Sequence, residues 1–330
     1  MGRFAGGAAF RLESVPSPCF TWFAPFMSDL ILHHYPPSPF AEKVRRMLGL
    51  KGLAWKSVTI PRWMPKPDLM PLTGGYRRTP VLQVGADIYC DTACIARFLD
   101  GLEPRPPLWP SGTRGLGTTL GAWADQVLFF DVVSVVFGTL ADSVAPELVE
   151  DRRRMSEGAI DPKRYQADQD HLRARLRAHL FWIEHSFDDG RPFLLGQAVS
   201  YPDFCVCAPL WMLQRVADLK PLEDMPLTRQ WLARMDALGH GKPGELDAQA
   251  ALDVAAAAEP APITLRHEEF PAGLRAGAAV TVAPDDYGKD PVAGVLVAAN
   301  AQAVVVRRTD PRVGTVHVHF PRAGYRVTPA

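Results

Sequence analysis

The chain has 330 residues, long enough for two or three domains, and 47% of them are hydrophobic, enough to fill their cores. The 36 basic and 36 acidic residues cancel, so no global charge points to nucleic acid or to an anionic membrane surface. No apolar run reaches the roughly 20 residues that a spanning helix needs. The five cysteines, at 19, 90, 94, 205 and 207, make neither a zinc pattern nor a Cys-x-x-Cys. A reducing cytoplasm, with no membrane and no nucleic-acid partner, is therefore the expectation.

Residues 1–28 are rich in Gly, Ala and Pro and lack the apolar core and cleavage site of a secretory signal. They are set aside as a disordered leader. From Leu30 a short apolar run reads as a strand and ends in Tyr35-Pro36-Pro37-Ser38-Pro39-Phe40. Phe40 to Leu50 is amphipathic and reads as a helix. Ser38 can cap that helix, with Pro39 as the first helical residue, where a missing N–H costs nothing. A hydroxyl there sits beside unpaired backbone donors and the positive end of the helix dipole, a setting that favours a thiolate. An ordinary helix cap accounts for the same serine.

The stretch from Pro61 to Gly75 carries too many prolines and glycines for a long helix. Arg78 to Thr92 reads as strand, tight turn, strand and helix start, with Asp91-Thr92 opening an apolar-periodic helix. Glu103 to Pro107 is a Pro-rich linker. Residues 115–238 are helical in pattern. In them Leu172, Leu176, Leu180, Ile183 and Phe187 recur at helical spacing, and Ser200-x-x-Asp203 forms a capping box. Residues 241–262, rich in Ala and Pro, read as a linker with a helical run near Ala248. Val280–Val282, Val295–Val297, Val304–Val306 and Val316–Phe320 read as short strands separated by turns. Residues 263–330 are thus expected to form a small β-barrel or curled sheet. It is marginal alone, so it should dock on the helical domain or on a partner subunit.

The order of elements from Leu30 to Leu102, with Ser38-Pro39-Phe40, Thr79-Pro80 and Asp91-Thr92, resembles the glutathione S-transferase superfamily, in particular its serine and cysteine classes. The capping box at Ser200–Asp203 resembles that of the family's helical domain. The resemblance implies a thioredoxin-like domain at residues 29–102 and an all-α domain at 103–240, with the β module at 263–330 outside the family. It implies a cis bond before Pro80, and glutathione as co-substrate. Ser38 would donate a hydrogen bond to the glutathione thiolate, the backbone of Thr79 would pair with its cysteinyl part, and Asp91 and Thr92 would hold its γ-glutamyl end. Tyr35 is the rival hydroxyl, because some classes use a tyrosine at the end of the first strand. Ser38 and Ala41 stand where a thioredoxin carries Cys-x-x-Cys, which excludes disulfide exchange through that motif.

The expected function is transfer of glutathione to a small electrophile by a homodimer. The alternative is a non-catalytic protein of the same fold used for binding or assembly. No metal is expected. His317 and His319 share one face of a strand but lack a third ligand nearby in sequence. Cys90 and Cys94 read as small core residues.

Overall fold

In the computed structural model, residues 28–217, 220–263, 265 and 267–330 are described; the expected leader, Ser28 apart, lies outside them. The chain begins with β1 (Leu30–His34), α1 (Pro39–Leu50), β2 (Ala54–Thr59), the short α2 (Met70–Thr73), the hairpin β3 (Val81–Val84) and β4 (Asp87–Cys90), and α3 (Thr92–Leu102). β1 runs parallel to β2 and antiparallel to β3, and β3 runs antiparallel to β4. This is the thioredoxin-like unit that the element order predicts.

β1 is buried on both faces, so its residues alternate between two cores. Leu30 and Leu32 face α1, α3 and the helical layer, whereas Ile31 faces the opposite side with Val81 and Ile88. His33 is buried in the same strand and bonds to Gln83 at 2.8 Å. Burial pulls its imidazole down to about 4, so it is a neutral core residue.

The helical layer comprises α4 (Arg114–Trp123), a π-helical turn (Ala124–Leu128), α5 (Phe129–Thr139), α6 (Pro146–Met155), α7 (Pro162–Ala167), α8 (Gln169–His185), α9 (Tyr201–Arg215) and α10 (Pro226–Asp236). Arg114–Thr139 is, among the described residues, the one helical stretch long and apolar enough to cross a membrane. Here it is the central helix of the layer, packed against α7, α8 and α9. The capping box forms as expected: Ser200 N–H donates to Asp203 Oδ2 at 2.9 Å. The other oxygen of Asp203 accepts from Leu194 N–H and Trp231 Nε1–H, both at 2.9 Å. One carboxylate thereby fixes the start of α9 against α10.

Two expectations need correction. Residues 241–262 are not a linker. Lys242–Glu245 form β5, which pairs in parallel with β2, and Ala248–Ala256 form α11, whose Ala251, Leu252 and Ala255 are fully buried. The helical run expected near Ala248 is α11, and its small alanine side chains let it lie close to the sheet. The second correction concerns the C-terminal strands, β6 (Ala279–Pro284), β7 (Val292–Ala299), β8 (Ala303–Asp310), β9 (Gly314–Pro321) and β10 (Tyr325–Pro329). They do not dock mainly on the helical domain. β9 pairs in parallel with β4, placing Asp87 opposite His317 and Tyr89 opposite His319. One ten-stranded sheet results, in the order β10-β6-β7-β8-β9-β4-β3-β1-β2-β5. The physical reason is the bare edge of β4, whose backbone groups need partners; His317 N–H donates to Ala86 O at 3.0 Å.

Within the C-terminal part the sheet curls, as its sequence pattern suggests. β9 and β10 stand at opposite ends of the five-strand order, yet only residues 322–324 separate them. A flat sheet would set them roughly 19 Å apart, more than the roughly 14 Å such a link spans. Val280, Val282, Val316, Val318 and Phe320 fill the inside of the curl and join the core built on Ile31, Val81 and Ile88.

α1 is held to the helical layer by a buried charge cluster. Glu42 pairs with Arg45 and Arg46, both at 2.8 Å, and with His240 at 3.0 Å, while Arg46 also meets Asp236 at 2.5 Å. Burial works against the Glu42 carboxylate, but the His240 hydrogen bond and the two guanidinium groups outweigh it and bring it down to about 2. An unfolded glutamate titrates near about 4.3. Glu42 therefore contributes stability that is complete above that value and is lost as pH falls toward 2. In urea titrations, Glu42→Gln should destabilise the protein by on the order of 3 kcal/mol at pH 7. It should also flatten the loss of stability between pH 4.5 and 2. An acid limb identical to that of the parent protein would exclude this role for Glu42.

Candidate active site

Two cavities open where the thioredoxin-like unit, the helical layer and the C-terminal sheet meet. The larger, of about 500 Å³, is lined by Tyr35, Ser38 and Phe40 on one side and by α5 and α6 on the other. The smaller, of about 180 Å³, is lined by Pro80, Asp91, Thr92, Trp109 and Tyr201. Phe40, Arg78, Thr79 and Tyr287 line both. Every site residue expected from the sequence thus borders one of two adjoining cavities.

Ser38 caps α1 as expected, its Oγ accepting from Ala41 N–H at 3.1 Å, with Pro39 as the first helical residue. That bond uses an oxygen lone pair and leaves the hydroxyl proton to be donated elsewhere. Tyr35 reaches the same cavity, its hydroxyl accepting from Arg152 Nη2–H at 3.2 Å. The Thr79–Pro80 bond is cis, as the resemblance implies. Thr79 Oγ1 accepts from Lys66 Nζ at 3.1 Å.

Asp91 caps α3 through Ala93 N–H at 2.8 Å and does so at a φ of 76°, unusual for a residue with a side chain. Backbone strain of this kind gathers at functional sites. Thr92 Oγ1 accepts from Lys43 Nζ at 3.0 Å. Lys43 is fully buried and also meets Asp125 at 2.6 Å and Tyr201 Oη at 3.3 Å. Burial works against its ammonium, but the Asp125 carboxylate outweighs it and holds the charge. Lys43 thereby joins α1, α3, the π-helical turn and α9 beneath the smaller cavity. Sequence reasoning missed it, because a lysine in an amphipathic helix looks solvated and its partner lies 82 residues away.

The C-terminal module supplies a third wall, which sequence reasoning assigned only to docking. Tyr325 Oη donates to Asp91 Oδ2 at 3.1 Å. Arg78 forms an ion pair with Asp286, donates to Tyr287 O and lies over the Tyr287 ring, 4.3 Å from its centroid. Tyr287 in turn packs on Phe130, and Gly288 N–H donates to Met155 O at 2.6 Å. The turn from Asp285 to Lys289 therefore bridges the two family-like domains across the cleft. A strand pattern identifies β6 and β7, but nothing local shows where the turn between them lands.

Of the remaining candidates, Cys90, Cys94, Cys205 and Cys207 are buried and inert. Burial pushes the thiols of Cys94, Cys205 and Cys207 up to about 12. His317 and His319 acquire the third group that the sequence did not supply. Asp87 accepts from His319 Nε2 at 2.7 Å, and the three side chains present donor atoms within 4.8 Å of one another. Asp87 also accepts from Ala261 N–H at 2.8 Å, so the cluster stitches β4, β9 and the segment after α11 together.

The model of the glutathione S-transferase N-terminal domain matches residues 32–107, and that of the glutathione S-transferase C-terminal domain matches residues 147–238. Among solved structures, a GST-like protein from Pseudomonas syringae is 42% identical with a TM-score of 0.73. That match covers 92% of this chain and all of the other. A glutathione S-transferase from Rhodospirillum rubrum is 25% identical with a TM-score of 0.51, covering 63% of this chain and 88% of the other. A glutathione S-transferase from Ceriporiopsis subvermispora in complex with glutathione shares the fold, at 21% identity and a TM-score of 0.53, covering 64% of this chain and 97% of the other. A search of curated proteins finds no match. The 8% left uncovered by the Pseudomonas syringae match is smaller than the C-terminal sheet, so that match includes at least part of the sheet.

Proposed function

Because the chain belongs to the glutathione S-transferase superfamily, we propose that it binds glutathione and activates the thiol, as thiolate, for attack on a small electrophile. The observation that carries this reading is the convergence of Ser38, Thr79, Asp91 and Thr92, from separate segments, on two cavities that share Thr79. In it the γ-glutamyl end lies in the smaller cavity. Its amine faces the Asp91 carboxylate, and its carboxylate lies at the start of α3, where unpaired backbone donors favour an anion. The cysteinyl part pairs with the backbone of Thr79 as an added strand. The sulfur then lies toward Ser38.

A free thiol titrates near about 8.5, and the positive end of a helix lowers that value. The Ser38 hydroxyl donates to the sulfur and favours the charged form. In the reaction the thiolate lone pair forms the new C–S bond, and the leaving group departs with its bonding electrons. The protein need not accept a proton in that step, because the thiol proton has already gone. Catalysis is then thiolate stabilisation plus positioning. A non-catalytic protein of the same fold that binds glutathione would need Thr79, Asp91 and Thr92 in place, but not a hydroxyl at Ser38 beside the sulfur.

Ser38→Ala should raise the pKa of bound glutathione and lower turnover by on the order of 10²-fold, with an unchanged circular dichroism spectrum. The readout is conjugation of 1-chloro-2,4-dinitrobenzene alongside calorimetric titration of glutathione. Binding without turnover in the parent protein would favour the non-catalytic alternative. Undiminished turnover in the variant would move the role to Tyr35. The assembly that goes with this reading is a cytoplasmic homodimer. Sedimentation at micromolar concentration should give twice the mass of the chain, and a monomer throughout would reject it.

A further inference from the structure

Away from both cavities, three titratable side chains meet where the C-terminal strands continue the thioredoxin-like sheet. His317 and His319 stand two residues apart on β9 and so share a face. The parallel register sets Asp87 of β4 opposite His317. All three are buried, and one donor atom from each lies within 4.8 Å of the other two. Asp87 Oδ1 is 2.7 Å from His319 Nε2 and 3.7 Å from His317 Nδ1. The second distance is too long for a hydrogen bond. His317 is only 8% exposed, and its Nδ1 is buried with no hydrogen-bond partner among the described residues. A buried polar atom left unpaired is costly, and this one is aimed at a carboxylate and a second imidazole.

We propose that Asp87, His317 and His319 bind one divalent transition-metal ion of the zinc class, which clasps β9 to β4. Two imidazoles and a carboxylate suit such an ion, whereas magnesium and calcium prefer an all-oxygen shell. Zinc holds nitrogen and oxygen ligands at about 2.0–2.2 Å, so tetrahedral donors stand roughly 3.4 Å apart. The observed 2.7 and 3.7 Å lie on either side of that spacing. The ion replaces the His319–Asp87 hydrogen bond with a bond to each residue and gives His317 Nδ1 its partner. Each coordinating nitrogen needs a free lone pair. Neutral His319 then carries its proton on Nδ1 and neutral His317 on Nε2. Water completes the four ligands.

Neighbouring groups hold these ligands in place. Ala261 N–H donates to Asp87 Oδ2 at 2.8 Å, which orients the carboxylate and leaves Oδ1 toward the histidines. The Tyr89 ring stacks on His319, with centroids 4.3 Å apart. Arg307, opposite His317 on β8, is exposed, so solvent and salt screen its repulsion of a cation. None of the three ligands lines either cavity, so the site is independent of the glutathione reading. Its role is structural. The ion locks the ladder in which Asp87 and Tyr89 stand opposite His317 and His319, the joint between the two parts of the sheet.

The test is calorimetric titration of the chelator-stripped, full-length protein with zinc chloride and with magnesium chloride. The expected result is one zinc per chain with a Kd below about 10 μM, and no magnesium binding in that range. His317→Ala leaves the Asp87–His319 bond intact, so its metal-free thermal midpoint should stay close to that of the parent protein. Its zinc affinity should fall by on the order of 10²-fold. Zinc at a hundred times its Kd should raise the midpoint of the parent protein by about 4 °C, and the same concentration should leave the variant nearly unmoved. Cobalt in place of zinc reads the ligands in the parent protein itself, so the test stands even if the variant does not fold. Its visible bands should appear without thiolate charge transfer. Zinc affinity undiminished in the variant would overturn the proposal. So would a thiolate band, which would assign the ion to a cysteine, or zinc binding no tighter than that of magnesium.

Discussion

The parallel pairing of β4 with β9 is the constraint on which the rest of the arrangement depends. Without it the thioredoxin-like sheet ends at β4 and the C-terminal strands form a separate curl of marginal size. With it, a bare edge is covered and Ile31, Val81 and Ile88 gain an apolar partner in Val316, Val318 and Phe320. The pairing also fixes where the rest of the module goes. β9 leads directly into the link that brings Tyr325 to Asp91, and the turn after β6 reaches across to Arg78 and Phe130. A contact made for sheet stability thus determines the outer wall of the cleft.

Charges under the cleft follow one rule with one exception. Lys43 is answered by Asp125, Glu42 by two arginines and His240, and Lys51 by Asp100 at 2.9 Å. The Lys43–Asp125, Glu42–His240 and Lys51–Asp100 pairs each join α1 or its end to another part of the molecule, which holds the start of α1, and Ser38 with it, in a fixed frame. Lys66 alone faces a cavity without such a partner among the described residues. The contrast makes it informative: the lysines of α1 and its end are answered by carboxylates, and this one is not.

The parts of the fold that were legible in the sequence were those with local causes. Ser38-Pro39 at a helix start, the turn between β3 and β4, Asp91-Thr92 opening α3 and the Ser200–Asp203 box all act within a few residues of themselves. The resemblance then tied those segments to one site. What could not be read depended on distant partners. β5, Lys-Pro-Gly-Glu, has no strand character of its own and is a strand only because the edge of β2 pairs with it. Lys43 and Asp87 are unremarkable until Asp125 and His319 arrive from 82 and 232 residues away. Tyr287 and Tyr325 sit in or beside turns, whose composition marks a reversal and says nothing of what the reversal touches.

The central claim is that the C-terminal module is a wall of the proposed glutathione site and not merely an appended domain. Amide hydrogen exchange of the full-length protein, with and without saturating glutathione, tests it most directly. The account predicts slowed exchange at the start of α1 and from Thr79 to Ala93. It predicts the same slowing in the turn from Asp285 to Lys289 and around Gly324 and Tyr325. Slowing confined to residues 30–102, with the module exchanging as it does without glutathione, would contradict it.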